Sequence, residues 1–183
     1  MQQIFEQLMQ GFAPKTTEIY RKKAAQRRKE SLRLLRALKS ECSEKHFTEI
    51  CEMKRLNREY CREDLKNMFS EGVLYGILAG LETACGFPEG QSLLASLLYG
   101  NFADERHRIS SEKSRALLQK FDAQYNKAEK DLNTEQFLRV NDIIDNEAAD
   151  IYSYTEAYYA EGMRKGILLG VAAGELAKTL PLV

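Results

Sequence analysis

The chain repeats itself at an offset of 90 residues, and the glycines mark the register. Glu71-Gly72-x-x-x-Gly76-Ile77-Leu78-x-Gly80 recurs as Glu161-Gly162-x-x-x-Gly166-Ile167-Leu168-x-Gly170. The same offset pairs Phe12-Ala13 with Phe102-Ala103, Ile19 with Ile109, Lys23 with Lys113 and Phe47 with Phe137. Eight of the 11 glycines fall into matched pairs, Gly11 meeting Gly100 after a one-residue shift. Gly174 aligns with Ala84, another small residue, and Gly86, Pro88 and Gly90 cluster where a linker is expected. Self-similarity at this period predicts two supersecondary units that bury a face against each other.

Each copy reads as helices, and no alternating apolar run suggests a strand. A short apolar segment opens each copy, Ile4–Met9 and Leu93–Tyr99. A charged helix follows, near Thr17–Lys39 and Ser111–Glu129, and then a long helix, near Glu44–Glu82 and Thr134–Ala177. On the first charged helix Tyr20, Ala24, Leu34, Leu35 and Leu38 share a side. Ser43 and Asn133 are placed to cap the long helices, and Asn133 with Gln136 has capping-box spacing. In the second long helix Phe137, Val140, Ile144, Ile151 and Tyr158 form the apolar stripe. The expected fold is all-α: two tandem copies of a helical-hairpin unit, residues 1–82 and 93–183 around a linker at 83–92, packed as a pseudo-symmetric bundle with a shared core.

A glycine inside a helix costs about 1 kcal/mol relative to alanine, so a ladder of them needs a compensating contact. Gly72, Gly76 and Gly80, and Gly162, Gly166, Gly170 and Gly174, recur every four residues and lie along one strip of their helix. Such a strip lets another backbone approach closely. Three occupants fit it: the other copy's glycine helix about a pseudo-twofold axis, a bulky side chain of the same unit, or a ligand against bare backbone. The strip lacks a phosphate-loop pattern and follows no strand.

Lys+Arg and Asp+Glu both number 27, so net charge favours neither nucleic acid nor an anionic membrane. Locally the signs separate. Lys15 to Lys39 holds ten Lys or Arg and two Glu, while Asp131 to Glu161 holds eight acids and only Arg139. Lys22, Lys29, Arg33 and Arg36 share the outward face of the basic helix. That stripe is open to water, to the chain's own acidic helix, or to a nucleic acid, although no helix-turn-helix, zinc-finger or base-stacking motif accompanies it. Tyr152 and Tyr159, one heptad apart, suit a core edge or a partner surface.

Nothing here reads as an enzyme. The two histidines, His46 and His107, have no catalytic signature, and His46 is expected to be exposed. His107 follows Asp104, but no second such pair completes a carboxylate-bridged metal site. Glu71 and Glu161 are matched carboxylates that symmetric packing could bring together as a paired acid. No cofactor and no metal is expected. Cys42, Cys51, Cys61 and Cys85 form no Cys-x-x-Cys pair, which reads as reduced thiols in a cytoplasmic protein. No signal peptide or apolar span long enough for a membrane is legible.

Leu97-Leu98-Tyr99-Gly100-Asn101, Asp104-Glu105-Arg106 and the closing Glu161-Gly162-x-x-x-Gly166-x-x-x-Gly170 resemble an uncharacterised family of short helical proteins from Firmicute bacteria and their mobile elements. The resemblance runs from Leu93 to Glu175; the first copy departs from it, with Gln10-Gly11-Phe12 and Pro14-Lys15-Thr16 at the corresponding places. It implies a helical fold and brings no activity or cofactor. The expectation for the whole chain is a non-enzymatic helical adaptor that contacts a protein partner and self-associates. Nucleic-acid binding through helix 15–39 is the alternative, and the mobile-element flavour of the resemblance implies a further one, inhibition of a host defence complex.

Overall fold

The computed structural model describes residues 7–10, 12, 18–86 and 110–179. Five helices make up the described fold: α1 (Glu18–Glu41), α2 (Glu44–Cys85), α3 (Glu112–Asp131), α4 (Thr134–Tyr152) and α5 (Thr155–Thr179). Among the described residues there is no strand. The segment Leu93–Tyr99, most of the linker at 83–92 and His107 lie outside them.

Helix ends fall where local chemistry puts them. Ser43 Oγ accepts from His46 N–H at 3.2 Å, and ninety residues on Asn133 Oδ1 accepts from Gln136 N–H at 2.9 Å. At Asn133 the box is complete, since Gln136 Oε1 accepts from Asn133 N–H at 3.3 Å. The α2 helix overruns its expected end by one turn and stops at Gly86, whose φ of 66° is left-handed.

The second long helix is broken, where the apolar pattern predicts continuity. Ser153 Oγ donates to Asp150 O at 2.7 Å, and Tyr154 N–H reaches back only to Ile151 O at 3.2 Å. Side-chain back-bonding and i→i+3 bonds tighten that turn and end α4, and α5 begins after the two intervening residues Ser153 and Tyr154.

The helices group into two compact units that cut across the sequence halves. One comprises 15–65 and 110–154, hence α1, the first part of α2, α3 and α4. Its core joins Leu34 and Leu38, Ile50 and Met53, and Leu132, Val140, Ile143 and Ile144, with Phe47, Phe121, Tyr125 and Phe137 packed on it. Leu38 is fully buried, and burial of such a side chain is worth about 1.5–3 kcal/mol. Tyr20, expected on this face, is 50% exposed. It lies where α4 ends, and lines only an open groove with Ser153 and Tyr154.

The other unit holds α2 from Lys66 onward and α5. Here the core is backbone. All seven glycines from Gly72 to Gly80 and Gly162 to Gly174 are buried, beside Phe69, Val73 and Ala79. A Cβ placed on Gly76 would lie 2.3 Å from Met163 O and 2.9 Å from Gly166 Cα. On Gly166 it would lie 2.2 Å from Val73 O and 2.9 Å from Gly76 Cα. Gly72 faces Tyr159 and Met163, and Gly80 faces Ile167 and Val171, so the two helices run in the same direction. Where a side chain would stand, a Cα–H points at a carbonyl oxygen of the facing helix, a weak bond available only at this approach.

Candidate binding cleft

The four-helix unit carries a cleft of about 450 Å³ walled by α1, α2 and α4. Its origin is a charge on an apolar stripe. Glu147 stands three residues after Ile144 and four before Ile151, a core position by spacing, and its side chain is only 12% exposed. A carboxylate there must be paired. Lys54 Nζ donates to Glu147 Oε1 at 3.1 Å and Arg58 Nε at 2.8 Å, Arg58 Nη2 closing on the same oxygen. Asp150, one turn on and equally covered, accepts from Arg28 Nε at 2.9 Å, with Arg27 Nη1 at 3.9 Å.

Four cationic side chains, Arg28, Lys54, Arg58 and Arg62, thus line the cleft against two carboxylates. Arg62 makes no hydrogen bond or ion pair among the described residues. Leu32 on the α1 wall is 54% exposed. Glu147 Oε2 and Asp150 Oδ1 are themselves buried without a hydrogen-bond partner. An unmet acceptor of that kind costs about 1–3 kcal/mol. The cleft therefore offers cationic donors and apolar surface over two buried carboxylates.

Of the basic stripe read from the sequence, all four residues are exposed on α1, but they are not equally available. Lys22 pairs with Glu18 at 2.9 Å and Arg33 with Glu30 at 2.5 Å. Lys29 and Arg36 make no hydrogen bond or ion pair among the described residues. It is Arg27 and Arg28, round the helix from the stripe, that reach the acidic helix α4. Periodicity alone missed the cleft residues; the legible signal was Glu147 on the stripe.

Tyr152 and Tyr159 are occupied inside their units. The Tyr152 hydroxyl donates to Asp64 Oδ2 at 3.1 Å beside Cys61, and burial first, then the neighbouring Cys61 and Asp64, push the phenol above its ordinary range. Tyr159 lies against Tyr75, ring centroids 6.5 Å apart, and its carbonyl oxygen faces Gly72. Of the matched carboxylates, Glu161 accepts from Arg164 at 2.8 Å, and that bond first holds its carboxyl below the usual range.

Among the described residues no helix is long and apolar enough to cross a membrane. No family model, curated protein or solved structure matches the chain.

Proposed function

We propose that the chain is a non-enzymatic helical binding protein whose four-helix unit seats an acidic segment of a partner protein in the α1–α2–α4 cleft. The observation that carries this reading is the cleft's composition: Arg62 unengaged and Leu32 exposed among its lining residues, beside the cationic Arg28, Lys54 and Arg58. A peptide supplies what such a surface lacks: carboxylates for the guanidinium groups and apolar contact for Leu32. Continuous nucleic-acid binding is the weaker reading. Glu18, Glu30, Glu147 and Asp150 interrupt the cations, and a phosphate backbone needs an unbroken positive track.

The architecture we infer for it is a duplicated unit with pseudo-twofold packing. Reciprocity of contact supports this: Gly72 meets residues 159 and 163 while Gly162 meets residues 69 and 73, each pair offset by 90. The ends of α1 and α3, and the starts of α2 and α4, differ by the same 90. Self-association, a cytoplasmic site of action and the link to mobile-element proteins belong to the same proposal, and inhibition of a host defence complex would be one use of such a cleft.

The test is affinity capture from host lysate with and without nuclease, wild type beside Arg28→Glu/Arg58→Glu/Arg62→Glu, with light scattering for oligomeric state. A protein retained by wild type and lost by the triple variant supports the cleft. Retention abolished by nuclease moves the function to nucleic acid, and equal retention by both chains refutes the proposed surface.

A further inference from the structure

We propose that His46, Glu49 and Asp131 bind a divalent first-row transition-metal ion, with zinc as the reference ion, at the end of the four-helix unit where α2 starts and α3 stops. One donor atom from each of the three lies within 4.8 Å of the others. His46 and Glu49 stand one turn apart on α2, so their side chains leave the same face, and Asp131 is the last residue of α3, where unpaired carbonyls add negative potential. An imidazole with two carboxylates is the mixed nitrogen–oxygen set such ions take, leaving room for water.

The matching junction of the same unit gives an independent reason. Positions 136, 139 and 41 correspond to 46, 49 and 131 at the 90-residue offset, and there the contact is closed by an organic cation. Arg139 Nη1 donates to both Glu41 oxygens at 2.6 Å, and Gln136 Nε2 donates to Glu41 O at 3.3 Å. At the His46 junction the arginine's place is taken by Glu49 and the glutamine's by His46, so two acids face each other beside an imidazole. The His46 ring and the Asp131 carboxylate make no hydrogen bond among the described residues.

Two cations bear on the site. Lys127 donates to Glu49 at 2.6 Å, also acts on Asp131 through space and is 45% exposed, and Lys45 acts on Glu49 through space. Both weaken the attraction for a metal without blocking it, because Glu49 keeps a second oxygen. Donors on one zinc at about 2.0–2.1 Å sit about 3.4 Å apart, so these partly exposed side chains need to close by little more than 1 Å. Sequence spacing sets the site aside because its donors come from two helices.

The experiment is calorimetric titration of the full, metal-free chain with zinc chloride, with cobalt(II) visible absorption as a second readout. Wild type is expected to bind one ion per chain. His46→Gln at a half-buried position and Asp131→Asn at an exposed one are expected to weaken binding at least about tenfold with unchanged metal-free melting, and Lys127→Ala to tighten it. Unchanged affinity in both variants, no binding at millimolar zinc, or binding lost instead on alkylation of Cys51 and Cys85 would each overturn the site.

Discussion

At the scale of single residues the chemistry is set by which charges and thiols the packing encloses. Cys61 is 1% exposed, and burial first, against a smaller opposing bond to Tyr152, pushes its thiol up to about 11. Cys51 and Cys85 are exposed. Thiolate is the reacting form, so near pH 8 a thiol reagent is expected to modify Cys51 and Cys85 at once and Cys61 only after unfolding. Fast labelling of all the cysteines in the native protein would contradict this burial. Four cysteines are plain in the sequence; which one is inert follows only from Asn57, Asp64 and Tyr152 closing round Cys61.

At the scale of elements, caps and glycines act in opposite ways. Asn133 satisfies an end that would otherwise stay open, and Asn133→Ala is expected to cost about 1 kcal/mol in urea unfolding. For Gly76, alanine is the better helix former by about 1 kcal/mol, so an unpacked helix would gain from Gly76→Ala. Here the added Cβ would press on Met163 O and the α5 backbone, which no rotamer change relieves. A net loss of about 1–3 kcal/mol is expected. Unchanged or raised melting would show that α2 and α5 do not approach this closely. The ladder was readable from spacing, but the parallel sense of the two helices was not, because spacing within one helix is blind to the direction of its partner.

At the scale of the whole molecule, surface ion pairs tune stability more than they create it. Lys127 holds Glu49, Arg55 holds Glu52 and Arg164 holds Glu161 below the ordinary carboxylate value of 4.5. A carboxyl lowered in the fold contributes stability that is complete above its unfolded value and is lost as pH falls through the folded one. The melting temperature is therefore expected to stay level from about pH 8 to about pH 5 and to fall below about pH 4.5. Salt should blunt that fall, because these pairs are exposed. A melting temperature that rises on acidification would reverse the sign of the argument.

Helix content, the caps at Ser43 and Asn133, and the need for a close partner along the glycine strips were determined by the chain alone, because propensity, capping and steric bulk act over a few neighbouring residues. Tertiary structure decided what lies far apart in sequence. It set the α2–α5 pairing that fills the strips, the break at Ser153, and the capture of Glu147 by Lys54 and Arg58. Those outcomes depend on which surfaces meet across some ninety residues of chain, and no local pattern encodes that meeting.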